Sequence, residues 1–326
     1  MQYAPVVIFG YNRPKHIEMT LNSLRNNTHS DKTKLYIFLD GARRIEEVAL
    51  VEKTRDTVDK FVNMNRKSFL DIHVTKSNEN RGLANSIISG VSSIINEHGK
   101  IIVLEDDLIS APEFIDYMNG ALEFYKNKEV WSISGYSFPL PSLLGRKESV
   151  YGINRAMSWG WATWKERWNK VDWQVKDYNE FINDSKRVDA FNMTGKDMTY
   201  MLQQQMRGEI DSWAIRFCYS QFKEGLYTVC PKYTKIINVG LDNSGTHSET
   251  SILNLEKNFF MVNNEVQYVE CFPEKRITAE LSSFRSKSLL TRICMRVLSI
   301  PFLFSIRLKN IWERLRNKKF VNHNLS

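Results

Sequence analysis

Short apolar runs alternate with amphipathic stretches through the first 134 residues of the chain. The apolar runs are rich in β-branched residues, which favours buried strands, whereas the longer stretches repeat their apolar residues at helical spacing. Strands are predicted at 5–9, 35–39, 70–75, 101–104 and 130–135, and helices at 14–24, 46–63, 83–96 and from about 112. This alternation predicts an α/β protein with a mostly parallel sheet between two layers of helices.

The pattern changes after the last of these strands. Residues 136–155 are rich in Pro, Gly and Ser and predict loops. Trp161, Trp164 and Trp168 recur at helix-face spacing, which predicts a helix whose tryptophans lie in the core. Two strand-like pieces follow within 226–238. The regular alternation of strands and helices is therefore confined to the first part of the chain.

Three carboxylates follow the apolar run at 101–104 directly. Glu105, Asp106 and Asp107 are expected at the carboxyl end of a buried strand, where open α/β sheets place their ligands. Adjacent carboxylates repel one another unless a cation or hydrogen-bond donors compensate. Carboxylate oxygens suit Mg²⁺ or Mn²⁺, ions that commonly bridge substrate phosphates. The alternative is a solvated acidic turn before a helix, with residues 110–113 as its cap.

Two further polar segments follow strand ends on the same predicted edge. Asp40 precedes Gly41, and this pair predicts either an ordinary turn or a carboxylate that contacts a nucleoside. Arg81 and Gly82 open the helix before the acidic strand, where a helix N-terminus favours anions and Arg81 can hold a phosphate. An ordinary capped helix start is the alternative for this second segment.

The second half of the chain contributes three candidate residues. Asp211 begins an apolar helical stretch and is either its N-cap or a general base that points into a cleft. His247 ends a Gly-rich polar loop and is either a metal or diphosphate ligand or simply exposed. Trp159 lies in a loop, and its flat ring suits the apolar face of a sugar.

Composition describes a globular protein with a substantial core. The chain has 326 residues, 42% of them hydrophobic and 25% charged, which allows one large domain or one domain with appendages. The N-terminus carries no basic and apolar leader, and no apolar segment is long enough to span a bilayer, so neither a secretion signal nor a transmembrane helix is expected. The cysteines are widely spaced, which argues against a zinc site and a disulfide scaffold and favours a reducing compartment. They are Cys218, Cys230, Cys271 and Cys294.

The positive net charge belongs to the C-terminal tail. The chain carries a formal charge of +8, yet residues 285–319 alone hold ten Lys or Arg and one acid, Glu313, which leaves about −1 for the rest. This distribution and the lack of a nucleic-acid motif argue against a nucleic-acid partner. Arginines interleave with apolar residues through 284–320, as in a helix that lies on an anionic membrane surface. The alternative is a helical hairpin packed on the body or in an oligomer.

Taken in order, these segments resemble a GT-A fold glycosyltransferase. The likeness extends to the N-acetylglucosaminyltransferase that initiates complex N-glycans and to bacterial family-two-like sugar transferases. It is densest over 103–114. The other matching segments are 9–14, 39–41, the helix from 83, 131–134, the Trp-rich segment 157–173, 211–213 and 240–247.

The resemblance implies a role for each candidate. Asp107 is the expected ligand of Mn²⁺ or Mg²⁺, with His247 as a further ligand. The nucleotide-sugar would contact Asp106 and Asp40, with Glu105, Arg13 and Arg81 nearby. Asp211 is the implied general base. The implied acceptor-binding residues are Trp159, Trp161 and Trp164.

The resemblance over 1–250, together with the basic and apolar composition of a tail in which the chain departs from the eukaryotic enzyme, predicts a domain plan. A catalytic domain is expected over 1–250, with a nucleotide-binding half at about 1–135 and an acceptor half at about 136–250. A connecting segment would cover 251–283, and a basic amphipathic membrane-associating tail 284–326.

The expected activity is metal-dependent, inverting transfer of a hexosyl or N-acetylhexosaminyl group. The donor would be a nucleotide-sugar, with UDP favoured, and the acceptor a hydroxyl of a lipid-linked or surface polysaccharide precursor. The expected location is the cytoplasmic face of the inner membrane. Two other functions stay open, a nucleotidyltransferase and a non-catalytic sugar-binding or membrane-scaffold protein on the same fold.

Overall fold

The computed structural model describes residues 2–240, 266–285 and Val297. Its strands are β1 (Val6–Gly10), β2 (Lys34–Leu39), β3 (Asp71–Lys76), β4 (Lys100–Glu105), β5 (Leu108–Ser110), β6 (Val130–Ser134), β7 (Val150–Ile153), β8 (Trp161–Trp164), β9 (Tyr227–Pro231) and β10 (Ile236–Asn238). Its α-helices are α1 (Pro14–Arg25), α2 (Val48–Asn65), α3 (Leu83–His98), α4 (Phe114–Tyr125), α5 (Lys165–Trp168), α6 (Tyr178–Asn183), α7 (Ser185–Phe191), α8 (Asp197–Met206), α9 (Trp213–Lys223) and α10 (Lys275–Phe284).

Eight of these strands form one sheet in the order β3-β2-β1-β4-β8-β6-β9-β7. β1 pairs in parallel with β2 and β4, β2 with β3, and β6 with β9. β8 runs antiparallel between β4 and β6. The carboxyl ends of β1, β2 and β4 therefore share one edge, and the predicted mostly parallel α/β sheet is confirmed.

The central strands of the sheet are buried on both faces, whereas the edge strand β3 is largely exposed. Along β1, Val6 and Ile8 pack into a core with helices α1, α2 and α4. Val7 and Phe9 point the other way, into a core with α3 and α9. Because successive strand residues point to opposite faces, a continuous apolar run is what a strand covered on both sides requires. The three-layer arrangement follows from this alternation.

Two secondary-structure predictions for the second half of the chain are wrong, at least in part. Trp161 and Trp164 lie in strand β8, and only the one-turn helix α5 follows, with Trp168 as its last residue. The helical spacing misled because β8 is buried on both faces, so large apolar side chains occur at odd and even positions alike. Residues 136–155 also contain a strand, β7, which pairs antiparallel with β9 at the sheet edge.

The described part of the predicted connecting segment packs against the body of the domain. Tyr268 donates its hydroxyl to the carbonyl of Tyr117 at 3.1 Å. Helix α10 buries Ile277 and Leu281 in a core that it shares with the segment before β7. The tail predicted at 284–320 lies outside the described residues apart from its first two residues and Val297. Among the residues that are described, no helix has both the length and the apolar character needed to cross a membrane.

Candidate active site

The acidic triplet lies at the carboxyl end of β4. Glu105 is the last residue of the strand and is opposite Phe9 of β1. Asp106 and Asp107 follow it with only 3% and 9% of their surface exposed. The structure therefore excludes a freely solvated acidic turn, and it places a short strand, β5, before the helix that follows.

Arg13 compensates the charge of the two aspartates. Its Nη1 donates to Oδ2 of Asp107 at 2.9 Å, and its Nη2 forms an ion pair with Oδ1 of Asp106. Burial by itself would lower the pKa of Arg13, but the two carboxylates outweigh it and raise the pKa above its usual range. Burial also raises the pKa of Asp106, and Arg13 acts against that rise. The guanidinium is thus a fixed positive charge between the two carboxylates.

Among the described residues, Glu105 forms no ion pair of this kind. Burial, reinforced by the charges of Asp107 and Asp106, raises the pKa of Glu105 to about 8, and Arg13 offsets only part of this rise. Burial and the neighbouring charges thus favour the protonated form of Glu105.

Asp107 fits a divalent ion that takes most of its other ligands from a substrate. Within 2–240 and 266–285, no three His, Cys, Asp or Glu side chains come together as a metal site. Mg²⁺ and ions like it are often held by one or two carboxylates together with substrate phosphates, which is the donor set that a nucleotide diphosphate would complete. His247, the second predicted ligand, lies outside the described residues.

Asp40 organises the loop that opens α3. Its carboxylate accepts the backbone N–H of Arg81 at 2.9 Å and that of Gly82 at 3.1 Å. It also accepts the N–H of Gly41 at 3.0 Å. The backbone of Asp40 in turn donates to Gly10 at the end of β1. These contacts hold the loop beside the strand ends that carry the acidic pair, with the side chain of Arg81 exposed.

Asp211 lies against this loop. A methyl group placed on Gly82 would lie 3.6 Å from Oδ2 of Asp211, so the two residues are neighbours. Oδ1 accepts a hydrogen bond from Arg216 at 3.2 Å, and the side chain is 55% exposed. The N-cap of α9 is Ser212, whose hydroxyl accepts the N–H of Ile215, so the N-cap interpretation of Asp211 is wrong. The carboxylate of Asp211 is therefore exposed at the site and is not used to cap the helix.

Only one of the three predicted acceptor-binding tryptophans has surface to offer. Trp161 and Trp164 are 1% and 6% exposed, so their side chains are core residues, and the acceptor-binding prediction is left with Trp159. Trp159 is half-buried, and its ring meets that of Tyr136 edge to face, with the ring centroids 4.7 Å apart. Strand β8 begins two residues after Trp159, at Trp161, which pairs with Val103 of β4.

The segment after β10 also reaches the acidic pair, which the sequence did not reveal. Val239 donates its N–H to the carbonyl of Asp107 at 2.9 Å. A Cβ on Gly240 would overlap Oδ2 of Asp107 and lie 2.9 Å from Nη1 of Arg13. Gly240 therefore allows an approach that any side chain would block. The only signal in the sequence was the Gly-rich character of 238–247.

Residues 6–196 match the family model described as "Glycosyl transferase family 2". The chain belongs to glycosyl transferase family 2. This membership makes the chain a glycosyltransferase, and its sheet, with the acidic pair at the end of β4, has the GT-A arrangement that the sequence predicted. No curated protein has a significant match to the chain.

Several solved structures resemble this member of the family. TarS of S. aureus, residues 1–349, has a TM-score of 0.41 at 13% identity, over 72% of this chain and 59% of that one. The galactosyltransferase LgtC, in complex with donor and acceptor sugar analogues, has a TM-score of 0.36 at 9% identity, over 67% and 70%. A cytidylyltransferase from Leptospira borgpetersenii has a TM-score of 0.32 at 11% identity, over 53% and 64%. The resemblance to the N-acetylglucosaminyltransferase stays a prediction.

Proposed function

We propose that this glycosyltransferase transfers a sugar from a nucleotide-sugar, with UDP favoured, to an acceptor hydroxyl with inversion and with the help of Mn²⁺ or Mg²⁺. The observation that carries the proposal is the proximity of Asp211 to Gly82, where an added Cβ would lie 3.6 Å from Oδ2 of Asp211. Asp40 holds the Gly82 loop at the strand ends beside Asp106 and Asp107. The proposed carboxylate base and the loop that would meet the donor are therefore neighbours.

The donor half of the proposed site has one group for each part of the donor. Asp107 would hold the metal ion, which neutralises the diphosphate when bound. Asp106 would orient the sugar or ribose, and Glu105 would support it as a neutral carboxyl group. The loop that Asp40 holds would meet the nucleoside. Arg13 and Arg81 would each offer a positive charge to the diphosphate.

The acceptor half is proposed to supply the base. Asp211 takes the proton of the acceptor hydroxyl as its oxygen attacks the anomeric carbon from the face opposite the leaving diphosphate. A single displacement of this kind inverts the anomeric centre. Trp159 would pack against the acceptor sugar. Arg216 holds one oxygen of Asp211, which leaves the other directed at the Gly82 loop.

The acceptor is proposed to be a lipid-linked or surface polysaccharide precursor at the cytoplasmic face of the inner membrane. The support is electrostatic, because the segment 285–319 carries a formal charge of +9 on an apolar background. Such a segment is attracted to anionic lipids. It would keep the enzyme where its acceptor lies.

Replacing the proposed base tests this account. Asp211→Asn keeps the shape of the side chain and removes its basicity, so transfer should fall by ~10²–10⁴-fold while donor binding is retained. Glu209→Gln is the matched control, since Glu209 is an exposed carboxylate two residues away that contacts Arg207. Normal transfer by Asp211→Asn, or a product with the retained anomer, would show that Asp211 is not the base of a single displacement.

A further inference from the structure

Arg13 occupies the carboxylate that the proposed function assigns to the metal. The guanidinium bridges Asp106 and Asp107, and its side chain is only 17% exposed. Arg13 directly precedes α1, whose first residue is Pro14, so its backbone is anchored where β1 passes into the helix. The contact is therefore a built feature of the site, and both of its carboxylate partners are buried.

Two other groups close the surroundings of Asp107. Val239 donates to its main-chain carbonyl, and Gly240 lies against its Oδ2 and against Nη1 of Arg13. A cation that approaches Oδ2 therefore competes with Arg13, because Gly240 crowds that oxygen and two positive charges at so short a distance repel each other. In this position the charge of Arg13 opposes the binding of a second cation at Asp107.

We infer that Arg13 competes with the metal for Asp107 and is the resident cation of the acidic pair until a nucleotide diphosphate draws it away. The inference rests on the proposed function for the identity of the ligands. An arginine fork fits a phosphate as well as it fits a carboxylate, so the incoming diphosphate offers Arg13 a replacement partner. Asp107 is then released to the metal. Metal and nucleotide should consequently bind with positive coupling, each strengthening the other.

The inference predicts that removing Arg13 strengthens metal binding by the protein alone. Titration of wild type with Mn²⁺, followed by electron paramagnetic resonance without nucleotide, should give weak binding. Arg13→Gln should bind Mn²⁺ ~10-fold more tightly, the effect of losing one charge-assisted hydrogen bond that competes for the site. Arg43→Gln is the matched control, since Arg43 is exposed on the same edge and touches neither aspartate. Equal affinities in wild type and Arg13→Gln would overturn the inference.

A second variant keeps the test valid if Arg13→Gln does not fold. Arg13→Lys retains the charge and loses the two-pronged contact, so its affinity for Mn²⁺ should lie between wild type and the Gln variant. An affinity equal to that of wild type would count against the competition. The Mn²⁺ comparison uses neither donor nor acceptor, so it does not depend on sugar transfer. Failure of the proposed function would be seen in a separate assay, in which the wild-type protein transfers no sugar from any donor.

Discussion

The carboxylate of Asp40 accepts the backbone N–H of Gly82 at 3.1 Å, although the two residues are separated by 42 positions in the chain. This hydrogen bond joins the end of β2 to the start of α3. Gly82 has a φ of +76°, a left-handed conformation that glycine adopts without strain. Gly82 also neighbours Asp211. The loop that Asp40 holds at the start of α3 therefore lies next to the proposed base.

Asp40→Asn should disturb this loop. The amide has one acceptor oxygen where the carboxylate has two, so at least one of the backbone N–H groups of Gly41, Arg81 and Gly82 loses its partner. We expect a loss of about 1–3 kcal/mol in the free energy of unfolding, measured by urea denaturation, together with weaker donor binding. Asp56→Asn, an exposed substitution on α2, is the control and should change neither. Unchanged stability and donor binding in Asp40→Asn would contradict the role given to Asp40.

Trp159→Ala should affect the acceptor more than the donor. We take a ring–sugar contact to contribute about as much as an aromatic pair, ~0.5–1.5 kcal/mol, which corresponds to a rise of ~2–13-fold in the acceptor KM. The donor KM measured in the same assay is the internal control. Trp159→Phe should recover much of the loss, because it keeps a flat ring beside Tyr136. Equal changes in both KM values would indicate a general loss of structure at the site.

The carboxylate of Asp197 makes the free energy of unfolding depend on pH in the acid range. Its carboxylate accepts two hydrogen bonds from Arg155, at 3.0 and 2.7 Å, and one from Arg285 at 2.9 Å. Burial by itself would raise the pKa of Asp197, but the two arginines outweigh it and lower the pKa from 3.8 to about 2. Because the unfolded chain takes up the proton first as the pH falls, the stabilisation is complete above pH 4 and is lost between about pH 4 and pH 2.

The difference between wild type and Asp197→Asn isolates this effect. The variant should be less stable by about 2 kcal/mol at pH 7, and the gap should narrow as the pH falls below 4. Urea denaturation at several pH values measures it. A gap that stays constant down to pH 2.5 would show that the charge of Asp197 does not contribute.

Local sequence is sufficient to predict where a candidate residue lies when that residue directly follows a strand. The run at 101–104 is continuous and apolar, so a buried strand was expected, and Glu105 was expected at its carboxyl end, where the structure has it. The polar segments after β2 and before α3 lie on the same edge for the same reason. Parallel strands bring such ends together whatever separates them in the chain.

Contacts between distant segments were beyond what spacing could reveal. The sequence required a partner for the acidic pair, but nothing in the order of residues indicated that Arg13 would bridge Asp106 and Asp107 across 93 and 94 positions. The strand at Trp161 was also missed, because its pairing with β4 and β6 overrides a spacing that is typical of helices. Contacts between segments that are distant in the chain determine both the Arg13 bridge and strand β8.

The most direct test of the account is whether Asp107 creates a metal-dependent donor site. Thermal unfolding of wild type and Asp107→Asn would be measured with UDP, GDP, dTDP, CMP and their common sugars, each with and without Mn²⁺. One nucleotide class at ~100 times its Kd should stabilise wild type by ~2.7 kcal/mol with Mn²⁺ present, and should leave Asp107→Asn unchanged. A shift that persists in Asp107→Asn, or no shift with any donor, would contradict the account.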